Sequence, residues 1–125
     1  MSLEIDPSRM YDDWLADSGT SSHITHRRDV FIRYNSIREI PISVAGGLKT
    51  SAIGCGDLNL RSECDGNIFT LELSNVLYVP GNKNNLLSLG RWERDGRTIS
   101  FKDSAISLIM PDNRILACGA KISNI

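Results

Sequence analysis

Short segments in which apolar and polar residues alternate recur along this chain, and this pattern constrains its fold more than any other feature. The clearest cases are residues 40–44 and 69–73, where every second residue is apolar. A period of two places successive side chains on opposite faces of a strand. Gly, Asp, Asn and Pro separate the segments, as is typical of tight turns. The pattern predicts antiparallel strands, each with one face turned inward.

Two of the turns can be located from the residues between strands. Asp65-Gly66 lies between two alternating segments, and an Asp-Gly pair favours the positive dihedral angles of a two-residue hairpin. Pro111-Asp112-Asn113 has a similar place between the strands predicted at residues 106–110 and 115–118. We therefore expect a hairpin at each of these positions.

One segment has a different period. Leu89 and Trp92 are three residues apart, and Gly96 follows them as a helix terminator. We expect a single short helix over residues 88–95. Strands at this density around one helix predict an all-β fold. The expected form is a small closed β-barrel, because closure removes exposed sheet edges.

The chain length of 125 residues fits one domain. We expect residues 14–125 to form that domain. Residues 1–13 are expected to be an N-terminal extension, in which Met1-Ser2-Leu3 is interpreted as an added start.

Charge and hydropathy argue against two classes of partner. Lys and Arg number 14 and Asp and Glu number 15, so the net charge is -1. Duplex nucleic acid requires a broad positive surface, so we expect no nucleic acid to bind this domain. The basic residues around Arg27-Arg28 are interrupted by Asp29 and are expected to be solvated. The longest apolar runs, such as Val76–Val79, are far shorter than the roughly 20 residues that span a bilayer, so no membrane association is expected.

Cysteine and histidine usage indicates neither a disulfide framework nor a metal site. Three cysteines form no dense, even-numbered pattern, which favours free buried thiols in a reduced intracellular protein. His23 and His26 are three residues apart, but no Cys-x-x-Cys pair accompanies them, and structural zinc normally takes four ligands. We expect no metal and no cofactor.

The residues that could carry chemistry begin with Asp17-Ser18-Gly19. A carboxylate here follows a short apolar strand and immediately precedes a hydroxyl and a glycine. Taken alone, Asp-Ser-Gly is ordinary turn chemistry, because Asp and Ser bond to nearby backbone and Gly adopts positive φ. Two later segments change this interpretation: the apolar strand 76–80, which ends in Val-Pro, and residues 84–88, Asn-Asn-Leu-Leu-Ser, which lead into the predicted helix.

In this order, together with residues 14–25, these segments resemble the retropepsin-type aspartic protease of copia-type LTR retrotransposon polyproteins, and the resemblance covers residues 14–125. It implies that Asp17 is catalytic, that Ser18 braces the loop across a dimer, and that Gly19 permits the tight backbone. Such enzymes need two carboxylates that share a proton. The chain contains one Asp-Ser-Gly and no Asp-Thr-Gly, so the second carboxylate must come from another copy in a symmetric homodimer.

The resemblance also implies where substrate binds. An extended polypeptide would lie between Thr20 and Ser21 on one side and a mobile hairpin, the flap, on the other. The flap residues would be Ala45, Gly46, Gly47 and Leu48. Gly46-Gly47 is equally compatible with an ordinary hairpin turn. The chain departs from the family pattern at Thr20, where alanine is usual, and at Ser21-Ser22, which replace an acidic pair.

These observations predict a homodimeric aspartic endopeptidase that processes a Gag-Pol-type polyprotein. Its partners would be a second copy of itself and an extended polypeptide, and its location the cytoplasm or intracellular virus-like particles. The main alternative is a retrotransposon-derived barrel that only dimerises or binds peptides. A third possibility, a barrel ligand module with no retroelement origin, predicts a monomer with Asp17 in an exposed turn.

Overall fold

Strands dominate the computed structural model, which describes residues 2–3, 14–43, 49–64, 67–102, 105–109 and 115–119. In chain order the elements are β1 Ser2–Leu3, β2 Trp14–Asp17, β3 Ile24–Thr25, β4 Phe31–Ser43, β5 Lys49–Cys64, β6 Asn67–Tyr78, β7 Asn85–Ser88, α1 Leu89–Arg94, β8 Thr98–Lys102, β9 Ala105–Ile109 and β10 Ile115–Gly119. The prediction of a mostly β domain with one short helix is confirmed. Among the described residues, no helix has the length and apolar character to cross a membrane.

The strands form two sheets. The larger sheet has the order β1-β2-β7-β3-β6-β5-β4, and the smaller one has the order β10-β9-β8. The strands β4, β5 and β6 form an antiparallel meander, as the alternation predicted. In contrast, β2 pairs with β7, and β3 pairs with β6, in parallel. These parallel pairs join parts of the chain that are distant in sequence.

The strand register supports the expected hairpins. Cys64 pairs with Asn67 across β5 and β6, and Ile109 pairs with Ile115 across β9 and β10. The predicted turn residues, Asp65-Gly66 and Pro111-Asp112-Asn113, lie outside the described residues. Ser43 pairs with Lys49 across β4 and β5, so these strands flank the predicted flap.

Two clusters of buried apolar side chains form the core. The larger contains Trp14, Ala16, Leu58, Leu60, Leu71, Leu73, Val76, Leu87, Leu89 and Trp92. The smaller contains Ile24, Ala52, Val79 and Leu86. Adjacent residues Leu86 and Leu87 enter different clusters because successive side chains of a strand point to opposite faces. Strand β7 therefore lies between the two clusters and contributes to both.

The short helix is defined by its caps. The Ser88 side chain accepts a hydrogen bond from the Arg91 amide, and Asp95 is the C-terminal cap. Gly96 follows with a φ of 83°, a conformation that glycine adopts without a Cβ penalty. The segment predicted at 88–95 thus consists of helix 89–94 and its two capping residues.

Glycine also permits the close approach of β4 to β5. A Cβ on Gly56 would lie 1.8 Å from the Arg33 carbonyl oxygen, next to a bulge in β4. Neighbouring Cys55 is a free thiol and is only half-buried, so the expectation of buried cysteines is not met at this position.

Gly56→Ala should destabilise the fold by about 1–3 kcal/mol, because the added methyl group collides with backbone that cannot move aside easily. Gly90→Ala is the matched control. A Cβ there would lie 3.5 Å from its nearest neighbour, in helix α1, so the change should be neutral or stabilising by up to about 1 kcal/mol. Urea unfolding of both variants measures the difference. Equal stabilities would contradict this account of the β4–β5 contact.

Candidate active site

Asp17 ends strand β2 and is almost completely buried, at 5% exposure. Its Oδ1 accepts a hydrogen bond from the Gly19 amide at 2.7 Å. A Cβ on Gly19 would lie 3.2 Å from that oxygen, so a larger residue would crowd the carboxylate. Ser18 and Gly19 themselves are exposed. The loop therefore holds the carboxylate in a fixed orientation while its tip remains open.

Ser88 connects this loop to the start of helix α1. It is the register partner of Asp17 in the parallel β2–β7 pair. Its Oγ donates to the Thr20 carbonyl at 2.7 Å and accepts from the Arg91 amide at 3.0 Å. Arg94 makes a second connection, since its Nη2 donates to the Ser21 carbonyl at 2.7 Å. The helix start thus fixes the backbone that follows Asp17.

His23 lies at the other end of the same loop and is fully buried. Its Nδ1 accepts a hydrogen bond from the Ser88 amide at 3.0 Å, so the ring is neutral with its proton on Nε2. Burial, and next the positive charge of Arg91, lower the pKa of His23 to about 4. Within the described part of the chain, Nε2 has no hydrogen-bond partner. No group of three or more His, Cys, Asp or Glu that could hold a metal ion is found there either.

A second buried polar contact joins β3 to β7. The Thr25 hydroxyl donates to Asn85 Oδ1 at 2.7 Å, and the His26 amide donates to the same oxygen at 3.3 Å. The Arg27 amide in turn donates to the Thr25 hydroxyl at 3.2 Å. These bonds fix the chain where it leaves the loop.

A cavity of about 210 Å³ opens beside the loop. It is lined by Gly19, Thr20, Ser21, Ser22, Ile24, Pro41, Ile42 and Leu77. One wall is the polar loop, and the opposite wall is apolar and includes the end of β4. None of the lining side chains is charged. The cavity therefore suits an uncharged group attached to a polar backbone.

The predicted site residues can now be placed. Asp17, Ser18 and Gly19 form one loop, and Thr20 and Ser21 line the cavity beside it. The flap residues Ala45, Gly46, Gly47 and Leu48 lie outside the described residues, so both interpretations of that segment stay predictions.

Sequence reasoning did not assign roles to His23 or Asn85. His23 lies within residues 14–25, which carry part of the family resemblance. Nothing local in the sequence indicates that its ring contacts Ser88, 65 positions later. Ile40 and Ile42 were predicted to face inward; Ile42 lies in the cavity wall, whereas Ile40 is 44% exposed. Asn85 could have been identified as a candidate site residue because it is polar and stands at the start of an apolar strand.

The basic residues near the site make local contacts. Arg33 is mostly exposed and bonds to Asp57 at 2.8 Å and to Glu72 at 2.6 Å. The Arg28 guanidinium lies 3.6 Å from the centre of the Tyr34 ring. Arg28 and Arg33 are exposed, as predicted, whereas the Arg27 side chain is only 15% exposed and pairs with Asp29, so the expectation of solvated residues is not met there.

The fold and the loop together define a mostly β domain in which Asp17, the one buried carboxylate among the residues with described burial, precedes a loop that lines a cavity. Residues 14–97 match the family model described as "Pol polyprotein, beta-barrel domain". The match spans more than half of the chain and includes the whole loop, the cavity and helix α1. The chain belongs to this family. No curated protein and no solved structure matches it.

Family membership confirms the predicted barrel class and the origin of the domain in a retrotransposon or retroviral Pol polyprotein. It overturns the interpretation as a barrel without retroelement origin. The buried position of Asp17 also contradicts the exposed turn which that interpretation required.

Stability should fall as the pH is lowered from about 6.5 to about 4, because the unfolded chain takes up a proton on His23 that the folded chain resists. The stabilisation is complete above the unfolded pKa and is lost as the pH falls to the folded value. The difference in pKa corresponds to about 3 kcal/mol. Urea unfolding at several pH values, compared with His23→Asn, isolates this contribution. Wild-type and variant curves that run parallel would contradict it.

Ser88→Ala should destabilise the domain by about 1–3 kcal/mol, because it removes the helix cap and leaves the Thr20 carbonyl without its donor. Ser74→Ala is the control, since that side chain is exposed, and its effect should stay within about 0.5 kcal/mol. Urea unfolding tests both variants. A loss at Ser88 as small as that at Ser74 would show that the loop does not depend on this hydroxyl.

Proposed function

We propose that this domain is a retropepsin-type aspartic endopeptidase that acts as a homodimer on the Pol-type polyprotein to which its family belongs. One observation carries the proposal: the Asp17 carboxylate is held through Oδ1 by the amide of Gly19, and Gly19 lines a cavity of about 210 Å³. The loop has the Asp-Ser-Gly sequence that such enzymes use, and helix α1 fixes its backbone. The carboxylate is therefore preorganised before any substrate arrives.

The chemistry needs a second carboxylate. In an aspartic protease, one carboxylate accepts a proton from the attacking water while the other donates a proton to the scissile carbonyl. The chain has one Asp-Ser-Gly, so a second copy must supply the partner. A two-fold axis places identical residues opposite one another. The exposed loop tip at Ser18 and Gly19 is the surface through which two loops can meet.

The cavity supports a polypeptide as substrate. An extended peptide uses its backbone as an added strand, and alternate side chains enter pockets. Carbonyl and hydroxyl groups of the loop wall can bond the peptide backbone, while Ile24, Ile42 and Leu77 can contact an apolar side chain. The strands β4 and β5 lead directly into residues 44–48, which would cover the bound peptide. We expect cleavage sites with an uncharged residue at this subsite.

A second candidate function is a non-catalytic Pol-derived barrel that dimerises or binds peptides. The observation that favours it is the 5% exposure of Asp17 in the single chain, which leaves little of the carboxylate open to a partner. The two functions differ in one respect only. The first requires the carboxylates to react, and the second does not.

Asp17→Asn should lower the rate of polyprotein cleavage by about 10²–10⁴-fold, because the amide can neither accept the proton from water nor share one with its mate. The assay follows cleavage of a polyprotein fragment that contains this domain and its flanking junctions, using mass spectrometry to identify the products. Asp29→Asn is the matched control, since that carboxylate is exposed and lies outside the loop. It should retain wild-type activity.

Activity per mole of chain should also rise with chain concentration until the dimer is saturated. Cleavage that survives Asp17→Asn would refute the proposed enzyme. A dimeric wild-type chain that binds the peptide without cleaving it, across a pH range from mildly acidic to neutral, would establish the second function instead.

A further inference from the structure

Hydrogen bonds hold His23 both at its backbone and at its ring. Its backbone carbonyl accepts a hydrogen bond from the Leu77 amide of β6 at 2.8 Å. Its ring is fully buried, and Nδ1 accepts from the Ser88 amide at 3.0 Å. The residue therefore links β6 to the junction between β7 and α1.

Ser88 passes this link on to the loop of Asp17. Its amide bonds to His23, and its hydroxyl bonds both to the Thr20 carbonyl and to the Arg91 amide. Ser88 is also the register partner of Asp17. Two consecutive hydrogen bonds thus connect the imidazole to the backbone three residues after Asp17.

The donor and the acceptor in the hydrogen bond between Ser88 and His23 are fixed. The Ser88 amide is a donor, so Nδ1 must present its lone pair and the ring must be neutral. A protonated ring would place an N–H group against the Ser88 N–H group and would break the bond. Acid would therefore break the hydrogen bond between the His23 ring and the Ser88 amide. We call this bond, together with the bond from the Ser88 hydroxyl to the Thr20 carbonyl, the clamp.

Most charges around the ring keep it neutral. The cations Arg91, Arg94 and Arg97 disfavour its protonation, and Asp95 at the end of α1 opposes them. Strand β7 carries no charged residue. On the remaining neighbouring strands, β2 carries the acidic group of Asp17, and β6 carries Glu72 and, next to Leu77, the phenol of Tyr78.

We propose that His23 is a positioning residue for the reaction of Asp17, and that its neutral ring, acting through Ser88, holds the catalytic loop in the arrangement that peptide cleavage requires. The effect of His23 on catalysis rests on the proposed function, whereas the clamp formed by His23 and Ser88 does not. Protonation of His23 releases the loop and thereby sets an acidic limit to activity.

The clamp is tested first without substrate, on the wild-type chain. Long-range proton–nitrogen NMR spectra should show the His23 proton on Nε2 at neutral pH, and the ring should titrate near pH 4. The amide signals of Ser88, Thr20 and Ser21 should move with the same midpoint. The His26→Asn chain is the control, and in it the same amides should move as they do in the wild type. A proton on Nδ1, or a Ser88 amide that does not follow the ring, would overturn the proposal.

Activity tests the catalytic consequence. His23→Leu keeps an apolar volume but removes the acceptor, and kcat should fall about tenfold with little change in KM. His23→Asn places Oδ1 near the position of Nδ1 and does not titrate, so it should restore most of kcat and extend activity to lower pH. His26→Asn is the matched control and should leave kcat and the pH profile unchanged.

The outcomes distinguish a failure of the positioning role of His23 from a failure of the proposed function. An Asn variant whose acidic limb coincides with that of the wild type would overturn the positioning role, even where the Leu variant fails to fold. A wild-type chain that shows the NMR clamp but cleaves nothing would refute the proposed function, and with it the catalytic role of His23, while the clamp would stand. Restored kcat together with a shifted acidic limb would support the proposal.

Discussion

The parallel pairing of β2 with β7 is the contact on which the rest of the molecule depends. It brings Asp17 opposite Ser88 although the two are about seventy residues apart. The same pairing buries Trp14 in the larger core cluster and places β7 between the two clusters. Such a contact requires closure of a long loop, and its entropic cost is recovered only when both clusters pack. The core and the candidate active site therefore form together.

The polar residues buried in the described part of the chain are concentrated around this pairing. They are Asp17, His23, Thr25, Asn85 and Ser88. A buried polar group costs about 1–3 kcal/mol when it has no partner. All five bond to one another or to nearby backbone, and His23 in addition leaves Nε2 without a partner. A structural role alone would be served as well by apolar side chains, so the accumulation of polar groups favours a functional explanation.

Local signals in the sequence were sufficient for the helix, for parts of the meander and for the first residues of the site, but they did not indicate β1, β3 or β8. Alternation located the strands of the meander, and Ser88 and Gly96 marked the ends of the helix. The Asp-Ser-Gly motif identified the loop. The contact between His23 and Ser88 could not be predicted, because it depends on a parallel pairing that no local pattern encodes. The half-burial of Cys55 follows from the alternation along β5, where Ala52, Gly54, Gly56, Leu58 and Leu60 are buried and Cys55 lies on the opposite face.

The hydrogen bonds of Ser88 also bear on how two copies could meet. One hydroxyl caps the helix and donates to the loop, so a shift of the loop away from α1 costs the hydrogen bond between Ser88 and the Thr20 carbonyl. The carboxylate is 5% exposed in the single chain, and moving it outward by a loop change would break the Gly19 and Ser88 contacts together. A dimer that preserves these bonds must therefore approach through the exposed tip, at Ser18 and Gly19. In the proposed homodimer, the loop order set by His23 and Ser88 therefore precedes association instead of resulting from it.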